Sequence, residues 1–509
     1  VRLYVVSSGS QQVRPEESLA VERTPVVGLV KSLDQELPWL RARHIDVPPG
    51  AGTRAMEHLL AEIDTPSGEA EVALREGRRW ARRLIRLPGG MLPETRPVFQ
   101  EGGLYIVSGG LGGIAVEVAR HLLAAYRVRL LLLGRTELPD PAAWDQLVTD
   151  GDKLGDKLSA YRELSALGDI AYAAVNITDT EALRQAVATA EQTWSAELSG
   201  VLHLAGHYDQ HPLTEQTAQQ RAAVLAPKVT GGWALHQLVK DRPGTLFLSF
   251  SSVDGFLGGS EVGAYSAANT FLDALAAHQR REGTVDGRSL AWSMWDERGM
   301  SRGYGTRELN AARGYRILGA REALRSLDAA LRHDTPHVLI GLDTDAAWVR
   351  AHVHAPAFSL RALMCYLETA EVETAQCDTV GTRPEGPLPD RYGTPTWCEL
   401  TCVDELPRTA EGEVDRERLT RTGPAEDRGT ARGPEPATDL ERAIAGIWRE
   451  TLKRDRISVR ENFFELGGHS ILATQLLGRL RDALGVELTV AALFEDPTIA
   501  GLATRIEHG

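Results

Sequence analysis

From Leu104 onward the chain repeats one pattern, a short run of apolar residues followed by a segment with apolar positions at helical spacing. The runs LYIVSG, RLLLLG, IAYAAVNI, GVLHLAG and TLFLSFSS read as strands, and the stretches between them as helices. Strands that alternate with helices must be joined by crossovers, which predicts a parallel, doubly wound α/β sheet. The pattern closes near Leu339–Asp343. Before it, LYVVSS predicts a buried strand, VVGLVKSLDQEL an amphipathic helix and ARHIDV another strand. No phosphate loop occurs in that first part, which reads as structural.

A chain of 509 residues exceeds a single hydrophobic core, so several folded units are expected. A smaller α/β segment runs from about Pro356 to Leu419. The stretch RTGPAEDRGTARGPEPATD that follows is rich in proline, glycine and charge, the composition of a flexible linker. From Asp439 helical periodicity returns for about seventy residues, enough for a small bundle.

A net charge of −14 argues against nucleic-acid binding, because a polyanion needs a basic face. No apolar run reaches membrane-spanning length, and the start VRLYVVSSGSQQV lacks the features of a signal peptide. A cytoplasmic location is therefore expected. Val1 lies inside an apparent strand, as in a piece cut from a longer polypeptide. The four cysteines, Cys365, Cys377, Cys398 and Cys402, form no C-x-x-C pair and have no histidine cluster, so no metal is expected.

Strand LYIVSGG runs into helix LGGIAVEVARHLL. Gly109, Gly110 and Gly112 fall at the turn, where backbone must approach a ligand, and a helix N-terminus beyond offers N–H groups to a pyrophosphate. The next strand ends in Arg135 where a carboxylate would bind a ribose hydroxyl. A guanidinium suits the 2′-phosphate of NADP, which favours NADPH.

The segment FSSVDGFLGGSEVGAYSAANTFLDAL places Ser252 at a strand end, with Tyr265 and Asn269 one turn apart on a following helix. Lys228 lies on an earlier helix, in APKVTGGW. Ketone reduction needs a hydride on carbon and a proton on oxygen. A phenol of pKa about 10 is a poor acid until a nearby ammonium stabilises its anion. Ser252 can fix the carbonyl oxygen, and Asn269 can hold a water in the proton path. Each residue alone is an ordinary polar group; the set carries the reading.

GGLGGIA, VLHLAG, APKVTGGW, the Ser252/Tyr265/Asn269 set and the late AWSMW with GM resemble the ketoreductase domains of polyketide and related synthases. The resemblance covers about Val1 to His354. It implies a two-part short-chain-dehydrogenase (Rossmann) fold, with a structural subdomain at 1–98 and an NADPH-binding catalytic subdomain at 99–354. It further implies a proton donor in Tyr265, a carbonyl-orienting Ser252 and supporting Lys228 and Asn269. The cofactor site it implies comprises Gly109, Gly110, Leu111, Gly112, Gly113, Ile114, Arg135, Asn176, Ile177, Ala205 and Gly206. Ala115 replaces the usual last glycine of the loop, and Asn176 stands where an aspartate commonly faces adenine. The stereochemical signature near Tyr208, Asp209 and Gln210 is partly matched and Leu257 replaces a tryptophan of the opposite class, so product configuration stays open.

ENFFELGGHSILATQLLGRLRDALGVELTVAALFEDPTIAGLA is similar to carrier proteins, over 438–509, and Ser470 matches their phosphopantetheine-bearing serine. GGHS resembles the peptidyl (nonribosomal) type. Ser470 begins a helix, where a phosphodiester is electrostatically favoured. LPRTAEGEVDRERL (406–419) resembles the end of the small subdomain of nonribosomal adenylation enzymes, with Glu413 in place of the lysine that contacts the acyl-adenylate. Residues 355–420 are thus expected to be a degenerate adenylation subdomain, and 421–437 a linker.

Together these resemblances imply a keto-acid module of a nonribosomal depsipeptide synthetase, reducing an α-ketoacyl thioester on 4′-phosphopantetheine at Ser470. The expected partners are the tethered substrate, an upstream adenylation core, a downstream condensation or thioesterase domain and a phosphopantetheinyl transferase. A β-ketoreductase of a polyketide or hybrid module, and an inactive scaffold with a live carrier, remain as alternatives.

Overall fold

The computed structural model describes residues 2–65, 69–87, 98–149, 153–296, 310, 313–344, 346–350 and 352–353. It also describes strand segments 363–368, 388–389, 395–396 and 398–403, and, in the C-terminal part, 436–452, 456–463, 466, 470–486, 488, 492–493 and 496–508.

The first unit contains β1 (Leu3–Ser8), α1 (Pro25–Glu36), β2 (Ala42–Val47), α2 (Thr53–Asp64), β3 (Glu71–Arg75) and β4 (Arg78–Trp80), in sheet order β1-β2-β3-β4. β1, β2 and β3 run parallel and β4 returns antiparallel. β1 lies at the sheet edge and leaves Val6 exposed, so it is less buried than its apolar sequence predicts. β2 and β3 are the buried strands.

The second unit begins with β5 (Leu104–Ser108), α3 (Gly113–Tyr126), β6 (Arg129–Gly134), α4 (Trp144–Thr149), α5 (Lys153–Leu167), β7 (Ile170–Ala174) and α6 (Thr180–Trp194). It continues with β8 (Leu198–His203), α7 (Ala218–Lys228), α8 (Thr230–Val239), β9 (Thr245–Ser252), α9 (Val253–Leu257), α10 (Gly263–Glu282) and β10 (Val285–Trp292). β11 (Met294–Trp295), β12 (Ile317–Leu318), α11 (Ala320–Leu331) and β13 (His337–Ile340) follow.

Seven strands form one sheet in the order β13-β10-β9-β8-β5-β6-β7, all parallel. Strand side chains alternate between faces. Tyr105, Val107, Leu130 and Leu132 therefore join a core with Val118 and Leu122 of α3 and Leu327 of α11. Leu104, Ile106, Leu131 and Leu133 join a second core with Leu183 of α6, Leu235 of α8 and Phe271 and Leu272 of α10. Helices thus cover both faces, which explains the nearly continuous apolar strands. The chain reverses direction across the sheet between β5 and β8, and a crevice opens beyond the strand ends at such a point.

α1 packs against α10 with no room to spare. A Cβ on Gly28 would lie 2.4 Å from Thr270 Oγ1 and 2.6 Å from the Ser266 carbonyl oxygen. Only glycine lets the two helices approach this closely.

A parallel pair of strands, Leu363–Glu368 with Cys398–Val403, lies between the second unit and the C-terminal helices in sequence. Glu413 and the 421–435 part of the expected linker lie outside the described residues. The C-terminal part contains α12 (Asp439–Leu452), α13 (Ser470–Leu484) and α14 (Ile499–His508). Their apolar positions converge on a core of Ile444, Trp448, Phe463, Leu476, Leu480, Leu493 and Leu502. Trp448 and Phe463 meet edge to face, with centroids 5.1 Å apart.

Candidate active site

β5 ends in Ser108, and the chain turns through Gly109 with φ +75° before α3 starts at Gly113. A Cβ on Gly109 would come within 3.3 Å of the Ala205 backbone. The turn after β5 and the turn after β8 are therefore in close apposition. Ser108 ties them together, because its Oγ accepts from the Leu204 and Ala205 N–H groups, at 3.1 Å each. With both lone pairs engaged, the hydroxyl donates its hydrogen to His203 Nδ1, 2.8 Å away. Burial, reinforced by the charge of Lys228, pushes the His203 imidazole down to about 3. The ring stays neutral and serves as an acceptor.

Gly112 caps α3 without a side-chain hydrogen bond. The first turn of that helix consequently presents its N–H groups to an anion, as a dinucleotide pyrophosphate requires. Leu111 is buried beneath the turn and Ile114 packs against the core. Arg135 is exposed one residue past β6, and Asn176 is exposed past β7 with its Oδ1 accepting from Thr178 N–H. Ile177 is buried beside it. The expected cofactor residues all lie at the C-terminal ends of β5, β6, β7 and β8, and their chemistry fits a phosphorylated dinucleotide.

Ser252 is the last residue of β9 and the N-cap of α9. Its Oγ accepts from Asp254 N–H at 3.3 Å and donates to Asp254 Oδ2 at 3.1 Å. Tyr265 sits in the first turn of α10, and Asn269 one turn later donates from Nδ2 to the Tyr265 carbonyl oxygen, 2.8 Å away. Asn269 is fully buried and its Oδ1 has no partner among the described residues. Such an acceptor fits a bound water. Ser251 Oγ donates to the Asn269 carbonyl at 3.3 Å, which ties the end of β9 to α10.

Lys228 ends α7 and is 2% exposed. Its Nζ donates to the Phe250 carbonyl oxygen at 2.8 Å and stands 5.9 Å from the centroid of the Tyr265 ring. Burial pushes the ammonium down to about 8, with Asp273 opposing the shift. Tyr208 meets Tyr265 edge to face, with centroids 5.0 Å apart. The phenol ring thus has both a cation and a second aromatic ring for neighbours.

Several residues of this neighbourhood lie outside the sequence-derived set. α1 of the first unit reaches the loop that follows Ser252. Lys31 Nζ donates to the carbonyl oxygens of Gly255 and Phe256 at 2.9 and 2.7 Å, and Gln35 Nε2 to that of Leu257 at 2.6 Å. Ser32 Oγ accepts from Gly259 N–H, and the Glu36 carboxylate from the N–H groups of Leu213 and Glu261. The first unit thus holds by hydrogen bonds the segment 255–261, between Ser252 and Tyr265. Its acidic and basic residues on α1 gave no sign of this, because a helix period reports a buried face and not its partner.

Residues 103–297 match the KR domain family, and residues 442–506 match the phosphopantetheine attachment site family. A solved C2-type ketoreductase from a modular polyketide synthase is 30% identical, with a TM-score of 0.59 over 69% of this chain and 71% of that one. The chain belongs to the ketoreductases. It is an NADPH-dependent oxidoreductase of the short-chain dehydrogenase type, with a carrier domain for 4′-phosphopantetheine at its C-terminal end.

Polyketide synthase GfsB of Streptomyces halstedii is 29% identical over 99% of this chain and 8% of its own length. A structure described as the adenylation, ketoreductase and pseudo Asub part of a keto acid-selecting NRPS module matches with a TM-score of 0.64 at 25% identity. That match covers 83% of this chain and 35% of the other. The chain spans between 8% and 30% of the length of curated polyketide synthases that it resembles. Ser470 is the first residue of α13, and residues 467–469 before it lie outside the described residues. Among the described residues no helix is long and apolar enough to cross a membrane.

Proposed function

We propose that this chain reduces the ketone of an α-ketoacyl group, held as a thioester on the phosphopantetheine arm of Ser470, to the α-hydroxyacyl thioester. NADPH, when bound, would supply the hydride for the carbonyl carbon. Gly109, Gly110, Leu111, Gly112, Gly113 and Ile114 hold its pyrophosphate, Arg135 its 2′-phosphate, and Asn176, Ile177, Ala205 and Gly206 complete its site.

The remaining steps belong to the chain's own side chains. Ser252 donates a hydrogen bond to the ketone oxygen and fixes its position. As negative charge develops on that oxygen, the Tyr265 hydroxyl transfers its proton there and becomes a phenolate. The Lys228 ammonium stabilises that phenolate, which makes the phenol the stronger acid the reaction needs. Asn269 Oδ1 holds the water through which the phenolate regains a proton. The observation that carries this reading is the buried Lys228 Nζ, fixed by the Phe250 carbonyl at 5.9 Å from the Tyr265 ring centroid.

Two features support an α-keto substrate over a β-keto one. The carrier has the peptidyl GGHS sequence, and 406–419 resembles an adenylation remnant with Glu413 replacing lysine. The similarity to a keto acid-selecting module points the same way. In this reading 355–420 is a spacer, 421–437 a linker and 438–509 the carrier. An upstream adenylation core, a downstream condensation or thioesterase domain and a phosphopantetheinyl transferase act with it in depsipeptide synthesis.

A second reading, β-ketoreduction in a polyketide module, is favoured by the polyketide synthases among the relatives. Loading Ser470 with α-ketoacyl and β-ketoacyl groups in turn, adding NADPH and measuring intact mass separates the two. A gain of two hydrogens on the α-ketoacyl form is expected. Reduction of the β-ketoacyl form alone would overturn the proposal, and reduction of neither would leave a carrier on an inactive scaffold.

A further inference from the structure

The single hydrogen of the Ser252 hydroxyl has two claimants. In the structure it is donated to Asp254 Oδ2, 3.1 Å away, while the oxygen accepts from Asp254 N–H. In the proposed reaction the same hydrogen must go to the substrate ketone. A hydroxyl has one donor and two acceptor positions, so both demands cannot be met together. They are reconciled when Asp254 carries a proton. Asp254 Oδ2–H then donates to Ser252 Oγ, Asp254 N–H fills the second lone pair, and the serine hydrogen turns to the ketone.

We propose that Asp254 is a positioning residue for Ser252, and that its neutral carboxyl is the form that releases the serine hydroxyl to the substrate. The inference rests on the assignment of Ser252 as the group that orients the ketone.

The surroundings of Asp254 favour that neutral form. Burial pushes the carboxyl up to about 6, against the hydrogen bond from Ser252 and the charge of Arg313. From α1, Lys31 is committed to the carbonyls of Gly255 and Phe256 and faces Glu71 at 3.5 Å. From α10, Asp273 lies behind Gly255, with Oδ2 at 2.9 Å from the position a Cβ there would take. Lys228 is bound to the Phe250 carbonyl. Tyr315, from the segment before β12, is buried, and its hydroxyl is pushed up by burial and then by the Asp254 charge. β9 and the LAW end of β10 bring no charged side chain. A ketone seated on Ser252 takes the hydrogen that stabilises the carboxylate, so substrate binding and Asp254 protonation favour each other.

The test is the pH profile of kcat/KM for the full chain, with NADPH and soluble α- and β-ketoacyl thioesters of N-acetylcysteamine, using whichever is reduced. In the wild type kcat/KM should fall about tenfold from pH ~5 to pH ~7, the loss of neutral Asp254. Asp254→Asn retains a donor to Ser252 that does not titrate, so its profile should be flat there and exceed the wild type at pH ~7. Asp254→Ala should also be flat. The advantage of Asp254→Asn should vanish when Ser252 is replaced by alanine. NADPH affinity, read by fluorescence, reports whether each variant is folded. A variant that binds NADPH yet keeps the wild-type slope, while Ser252→Ala is impaired, would overturn the Asp254 inference alone. Wild-type kcat/KM in Ser252→Ala would overturn the Ser252 assignment and this inference with it.

Discussion

Replacing Lys31 by methionine tests whether the first unit is a passive neighbour or a brace for the catalytic loop. Lys31 is 4% exposed, its side chain is close in length to methionine, and its Nζ serves the Gly255 and Phe256 carbonyls and the Glu71 carboxylate. Burial pushes the Glu71 carboxyl up, but Lys31, with Arg82 and His44, outweighs this and holds it below its usual value. Lys31→Met leaves that buried carboxylate and the Phe256 carbonyl oxygen without their donor, while the Gly255 carbonyl keeps the Thr270 hydroxyl at 2.8 Å. Removing one member of a buried pair costs about 3–5 kcal/mol. Adding Glu71→Gln removes the stranded charge and leaves only the carbonyl deficit, about 1–3 kcal/mol. Urea unfolding of the full chain should therefore show a large loss for the single variant and partial recovery for the double. Glu71 titrates at a lower pH in the folded chain than in the unfolded one, so its stabilising effect is present above its unfolded value, about 4.3. It fades as the pH falls through its lower folded value. The deficit of Lys31→Met should thus be full near neutrality and shrink in acid. A loss under about 1 kcal/mol, or a double variant no more stable than the single, would refute the brace.

Two further outcomes follow from the site. Lys228→Met should lower kcat by about 10²-fold or more, by removing the charge that makes the phenol acidic. Because the ammonium is pushed down to about 8, the wild-type rate should decline as the pH rises through that value, and steady-state kinetics on Lys228→Met should lack that decline. If Arg135 pairs with the 2′-phosphate, Arg135→Ala should raise the KM for NADPH by about 10- to 100-fold and leave that for NADH nearly unchanged. Equal effects on both cofactors would remove Arg135 from phosphate recognition.

Much of the catalytic half is legible in the sequence because its constraints are local. The turn at Gly109–Gly113 follows directly from a strand and leads directly into a helix, and Tyr265 and Asn269 are one helical turn apart. The nearly unbroken apolar runs LYIVS and RLLLL report burial on both sheet faces, which the two cores bear out. What the sequence concealed depends on distant pairing. Lys31 meets Gly255 and Phe256 across 224 and 225 residues, and Gln35 meets Leu257 across 222. A lysine and a glutamate on an amphipathic helix look like its solvated face, yet Lys31 and Glu36 are both buried there. Asp254 carries no signal of its own in the sequence, and its hydrogen bond with the Ser252 hydroxyl appears only once α9 is built. The edge position of β1 is likewise a matter of strand order, which its apolar sequence does not encode.

The proton donor is the center of the chemistry. The measurement that bears on it most directly is single-turnover reduction of a ketoacyl group on the Ser470 arm, followed by intact mass with NADPH in the wild type and in Tyr265→Phe. The expected result is an alcohol in the wild type and an unreduced ketone in the variant, with NADPH affinity intact in both. Alcohol formed by Tyr265→Phe at the wild-type rate would contradict the assignment of Tyr265 as the acid.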